Sequence, residues 1–193
     1  MVKEILASGK IGDGFVLEAR VRDDWDMLSW TSHWFDLANF IFDTSAEWIL
    51  AGMHAGLTER FGHPVETSSV AFAQYPGGQQ GIFVTGPANP QPHELLIRGS
   101  KGFLRVGTDH RVEVFSESGC EIREADANAP TGFHALALDL FDAVENGKKM
   151  RCDYSESKFG TLMAFAAQES ARTQKKILIS ETPSYAPLSL MPP

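Results

Sequence analysis

His33 and Asp36 stand three residues apart in the segment SHWFDLANFIFD, a spacing that sets both on one face of a helix, with Phe40 and Asp43 further along it. A histidine and a carboxylate inside an otherwise apolar stretch need a reason, because burying either one unpaired is costly. Imidazole titrates near neutrality, which suits reversible proton transfer, and a carboxylate on the same face can orient the ring. The pair also reads as two satisfied buried residues that bond backbone or each other, and the residues alone leave both readings open. Trp25, Trp30 and Trp34 cluster around the same histidine. Their faces suit the C–H faces of a sugar and equally suit a core.

The remaining reactive residue types exclude more than they suggest. His54 ends a strand-like run, and His63, His93 and His110 lie near turns; none pairs at a metal-ligand spacing, so no metal site is expected. Arg98 and Lys101 flank a glycine turn, where solvated charges are ordinary. Cys120 and Cys152 lie far apart, with no CxxC pair and no histidine partner in sequence. They predict neither a disulfide framework, nor a structural zinc, nor a thiol nucleophile, and they suit a reducing cytoplasm. The net charge of −8 argues against nucleic acid or an anionic membrane as partner. No apolar run approaches the ~20 residues of a membrane span. Lys3, Glu4, Lys10 and Asp13 break up any signal peptide.

The 193 residues, 43% hydrophobic, suffice for one domain with its own core. The first 14 read as a short helix stopped by Gly9 and Gly12. Phe15–Arg22 alternates with a period of two, as a half-buried strand does. Ser32 offers an N-cap for a helix over the His33 segment, apolar nearly all round and therefore expected to be buried. From Glu47 to about Glu124 seven strand-like runs alternate with turn signals, which predicts an antiparallel meander. Two helices follow: Thr131–Asn146, with Phe133, Leu136, Ala137, Leu140, Phe141 and Val144 at helical spacing, and one opened by the capping-box pattern Asp153-x-x-Glu156. ILIS is a last strand and 183–193 an irregular tail. The predicted fold class is α+β, a mainly antiparallel open sheet with helices packed on one face.

Four stretches, in order, resemble one family. SGKIGDG at Ser8–Gly14 is similar to the junction between the two domains of Gfo/Idh/MocA oxidoreductases. SHWFDLANFIFD resembles that family's "G-x-H-x-x-D-L" helix, and ELLIRGSKGFLRV at Glu94–Val106 its typical hairpin. GFHALALDLFDAVENGKK through ESARTQKK, with Ala167, Ser170 and Ala171, resembles its closing helix pair. The resemblance spans the chain and implies the substrate-binding C-terminal domain of an NAD(P)-dependent oxidoreductase acting on a sugar, polyol or related hydroxy compound. It implies oligomerisation through the sheet. It makes His33 the proton relay as hydride leaves the substrate, with Ser29, Trp30 and Asp36 around the substrate.

Two departures matter. Many members carry an aspartate four residues before that histidine, where this chain has Ser29; Asp24 and Asp26 lie close by in sequence. A serine can hydrogen-bond a substrate but holds no charge beside an imidazolium. The glycine-rich dinucleotide fingerprint is also missing, since Gly9-x-x-Gly12-x-Gly14 has the wrong spacing and follows a helix. The chain alone is therefore expected to bind no cofactor, NAD or NADP arriving on a Rossmann domain upstream or on another chain. The rival expectation is a stand-alone, non-catalytic ligand-binding or oligomerisation module. A homodimer or higher oligomer through the open sheet face is expected in either case.

Overall fold

The computed structural model describes residues 1–20, 26–60, 62–86, 93–107, 111–126, 128–150 and 152–184. Asp24, Trp25, His110 and the tail after 184 lie outside them, as does the side chain of His63.

Among the described residues, strand alternation builds a nine-stranded sheet. Its strands are β1 (Val16–Arg20), β2 (Trp48–Arg60), β3 (His63–Gln74), β4 (Gln80–Thr85), β5 (Glu94–Gly99), β6 (Gly102–Val106), β7 (Arg111–Ser116), β8 (Gly119–Glu124) and β9 (Ile177–Leu178), in the spatial order β8-β7-β6-β5-β1-β4-β3-β2-β9. The α+β architecture is as the sequence predicts, but the meander is interrupted. β1 is inserted between β4 and β5, parallel to the first and antiparallel to the second. β2 and β3 also run beyond their predicted ends, forming a long hairpin out to Arg60 and His63.

One face of the sheet is covered. Leu17, Ala19, Ile49, Ala71, Ala73, Phe83, Leu95, Ile97, Leu104, Val112 and Val114 are buried beneath the helices, each large side chain contributing ~1.5–3 kcal/mol. Helix α1 (Val2–Ala7) ends in a turn clasped to the β5–β6 hairpin: Ser100 N–H donates to Asp13 O and Lys101 N–H to Ile11 O, both at 2.9 Å. Gly12 is obligatory there. Its φ is +77°, and a Cβ would stand 2.2 Å from Ser100 Oγ.

Helices α2 (Ser32–Phe42) and α4 (Tyr154–Thr173) pack together, with Phe35, Ala38 and Ile41 of α2 and Met163, Ala164 and Ala167 of α4 buried. Phe35 meets Phe83 of the sheet edge-on, centroids 4.5 Å apart. At the other end of α4, Ser170 Oγ accepts from Ala51 N–H (2.9 Å) and donates to Lys175 O (2.6 Å). β9 pairs β2 only at Trp48 and Ile49, so Ser170 serves the amide left beyond that short strand. Asp153 caps α4 by accepting from Glu156 N–H, while the Glu156 side chain pairs with Lys149 instead of closing the box.

Three expectations change. The N-cap at the start of α2 is not Ser32. A π-helical turn, Met27–Thr31, runs directly into the helix, and Asp26 caps it. Nor is α2 buried all round, since Phe40 is 51% exposed and His33 is exposed. Helix α3 (Gly132–Asn146) is fully formed yet contains no buried residue. No helix among the described residues is long and apolar enough to cross a membrane.

Candidate functional site

The turn that leads to His33 is anchored by two buried carboxylates. Asp26 accepts from Leu28 N–H (3.0 Å), Ser29 N–H (2.9 Å) and the Ser29 hydroxyl, and Arg60 Nε lies 3.5 Å from it. Glu66, from β3, accepts the Met27 N–H. Asp26 O receives both Trp30 N–H (3.2 Å) and Thr31 N–H (3.3 Å), the latter being the wide π-type bond. Such turns carry one extra residue and recur at functional sites. Here the turn brings Trp30 edge-on to the His33 ring, centroids 5.5 Å apart.

Asp36 is half-buried on the inner side of α2, directly against α4. A Cβ on Gly160 would fall 2.3 Å from Asp36 Oδ1 and 2.9 Å from Ser32 O, so only glycine admits the carboxylate at this crossing. Burial raises the Asp36 carboxyl to about 6, opposed by a backbone hydrogen bond from Gly160 and by the nearby charge of His33. The buried Tyr75 phenol is pushed upward as well, by burial first and then by Asp36.

His33 and Asp36 open onto a cleft of about 850 Å³ between α2, α3 and the first turns of α4. Phe40, Leu136 and Phe159 give it apolar walls; Asp43, Asp139 and Glu156 give it acidic ones. Ser29 and Trp30 are not among the walls. Trp30 backs the His33 ring, and the Ser29 hydroxyl is spent on Asp26. Cys152 lines the cleft as a thiol, not a thiolate: burial, then Asp36, Asp153, Glu156 and Asp139, hold it protonated. Among the described residues no group of three or more His, Cys, Asp or Glu could hold a metal ion.

His93 is the residue that sequence reasoning passed over. It stacks on Trp34 (6.1 Å, 21° between planes) and lies 6.1 Å from Trp30, the same ring that touches His33. Sixty residues separate the two histidines, and no local pattern announces their shared neighbour.

The sequence model of the GFO/IDH/MocA C-terminal domain matches residues 1–105, more than half of the chain. The chain belongs to this family. Comparison with curated proteins gives no match. Solved structures superpose on nearly all of this family member. An oxidoreductase from Agrobacterium radiobacter, in complex with NAD+, L-tartaric acid and magnesium, has a TM-score of 0.73 at 20% identity, over 93% of this chain and 60% of its own. Levoglucosan dehydrogenase with NADH and levoglucosan has 0.75 at 15%, over 92% and 62%. The aldose-aldose oxidoreductase from Caulobacter crescentus, complexed with glycerol, has 0.76 at 14%, over 92% and 59%. At these identities the agreement is one of fold. The GFO/IDH/MocA chain described here spans about three fifths of the length of each.

A nicotinamide cofactor finds no cradle among these residues. The glycine turn at 9–14 is folded onto the β5–β6 hairpin, its backbone groups engaged with Ser100 and Lys101. A pyrophosphate needs free N–H groups at a strand-to-helix turn, whereas this turn follows a helix and its Gly9 and Gly12 amides donate to Leu6 O and Gly9 O.

Proposed function

We propose that this chain is the substrate-binding half of a nicotinamide-dependent oxidoreductase acting on a sugar, polyol or related hydroxy compound. The observation that carries the reading is His33, exposed at a cleft of about 850 Å³, backed by Trp30 and sharing its helix face with a half-buried Asp36. NAD or NADP, held on a separate Rossmann domain, supplies the hydride chemistry. This chain's own residues bind the hydroxy compound and move its proton. His33 exchanges that proton with the substrate hydroxyl. Asp36 lies on the same helix face as the imidazole, its carboxyl raised by burial to about 6. Trp30 fixes the ring, and Ser29 acts through Asp26 on the turn that carries both.

The test is turnover. With a family nucleotide-binding domain supplied, fused ahead of Met1 or as a second polypeptide, reduced nicotinamide should accumulate with at least one member of a panel of sugars, polyols and hydroxy acids. The chain alone should give none. Saturable binding of such a compound without turnover would favour the second reading, a non-catalytic ligand-binding module. One observation speaks for that reading: Ser29, four residues before His33 where many members carry an aspartate, spends its hydroxyl on Asp26.

The uncovered sheet face supports a homodimer. Leu50, Phe72 and Ile82 align across β2, β3 and β4, beside Val70 and Val84; Leu50 is 45% and Val70 52% exposed. A contiguous apolar patch of this kind is covered in most stable proteins. Sedimentation should show a dimer or larger species at micromolar concentration, and Val70→Glu should shift it to monomer. A clean monomer before any substitution would remove the proposal. Two free, exposed cysteines fit a reducing cytoplasm as the place of action.

A further inference from the structure

A histidine exposed on a helix turns freely about its side-chain bonds, yet acid–base work requires it to be held within about half an ångström of its productive place. A row of four rings supplies that hold. Trp30 and Trp34 stand at i and i+4 across the junction of the π-helical turn and α2, and both present their indoles to His93. His93 stacks on Trp34 with 21° between planes and sits tilted against Trp30, centroids 6.1 Å apart in each pair. Trp30 in turn meets His33 edge-on at 5.5 Å. The row therefore runs Trp34, His93, Trp30, His33. The sheet anchors it, because His93 immediately precedes β5, whose first residue, Glu94, is paired with Arg20 of β1.

We propose that His93 is a positioning residue for His33, acting through Trp30; the inference rests on the oxidoreductase reading above. The turn is held in two ways. Asp26 and Glu66 bind the amides of Met27, Leu28 and Ser29, which fixes the main chain. Those bonds leave the Trp30 side chain to its ring neighbours, and His93 is the neighbour that the sheet supplies. Contacts between rings are directional, favouring offset stacks and edge-to-face pairs, so a ring at position 93 sets the angle of Trp30 and Trp30 sets that of His33. One observation separates this role from proton transfer by His93 itself: His33 lines the cleft and His93 does not. The role therefore belongs to the ring of His93 and not to its protons.

The experiment follows the His33 ring by nuclear magnetic resonance on the full chain, with turnover of the assembled two-domain enzyme as a second readout. In the unaltered chain, ring protons of His93 should show nuclear Overhauser contacts to Trp30 and Trp34, and those of Trp30 to His33. His93→Gln should move the His33 ring signal toward that of an unpacked histidine. It should lower kcat about tenfold to a hundredfold, with KM changed by less than about twofold. His93→Phe restores a ring that cannot titrate, and should return both readouts toward the unaltered values. Should His93→Gln lose its circular dichroism, the contacts in the unaltered chain and the His93→Phe comparison carry the decision. Absence of contacts between His93 and Trp30, or a His33 signal indifferent to both substitutions, would overturn the inference. So would a His93→Phe enzyme as slow as His93→Gln with the His33 signal in place, because the imidazole itself would then handle the proton. If the His33 signal responds but no hydroxy compound turns over, the catalytic reading fails and the positioning stands. If turnover proceeds while the signal ignores residue 93, the reverse holds.

Discussion

Replacing His33 by alanine should lower kcat by about 10²–10⁴-fold in the assembled two-domain enzyme, the range expected for losing a positioned general acid–base group. The side chain opens directly onto the cleft, where the proposed proton exchange would set it against the reacting hydroxyl. Trp30 packs edge-on against the ring and keeps its position in the turn, which makes the substitution a local one. Asp36→Asn separates the two carboxylate roles. The amide keeps the fit against Gly160 but removes a charge that appears as pH rises through about 6. The variant should therefore lose roughly tenfold, and the acid limb of its kcat/KM profile should flatten around that pH. A His33→Ala enzyme that turns over at the original rate would show that the proton moves through another group. His93, against the same tryptophan, is then the group to replace.

Much of this site was legible in the sequence and some of it was not, for definite reasons. The existence and order of the strands and of the His33 helix follow from periods of two and 3.6, though β2 and β3 extend further than the pattern shows. Alternation tells which side chains share a face but not which strand lies alongside. The parallel insertion of β1 between β4 and β5 is therefore invisible in VLEAR itself. The cap was misplaced because Ser32 sits where the apolar period begins. The five residues MLSWT carry no helical signature, and only Asp26, holding two amides, shows that the helix starts earlier. α3 shows the opposite failure. Its apolar positions at helical spacing are plain in the sequence, but spacing does not say whether they face the chain's own core.

Glu66 is a further residue that pattern alone could not place. The register between β2 and β3 slips by one residue, His54 facing Ser68 and Ala55 facing Glu66, so that Thr67 is an extra residue and the parity of inward positions inverts there. The bulge presses on the next strand end: a Cβ on Gly86 would meet Thr67 O at 2.3 Å, and its φ of +117° suits glycine alone. The slip turns a glutamate into the interior, and that has a measurable cost.

Glu66→Gln should stabilise the protein at pH 8 by about 1–3 kcal/mol and leave it nearly unchanged at pH 5. Glu66 is 1% exposed; one carboxylate oxygen takes the Met27 amide and the other has no partner among the described residues. Burial raises its carboxyl from 4.5 to about 7, against hydrogen bonds from its own backbone and Met27, and Asp26 adds repulsion. Between those two pH values the folded protein keeps a proton that the unfolded chain has released. Stability from this group is thus fully present below about pH 4.5 and is lost as pH rises through 7. The gap corresponds to at most ~3 kcal/mol. Asp36, raised from 3.8 to about 6, slopes in the same sense one step lower. Glutamine has the same shape, accepts the Met27 amide through its own oxygen and does not ionise, so its stability should be flat where the natural protein's declines. Urea midpoints at pH 5 and pH 8 measure this. Parallel profiles for the two proteins would mean that Glu66 titrates alike folded and unfolded, and that water reaches the carboxylate at the root of the His33 turn.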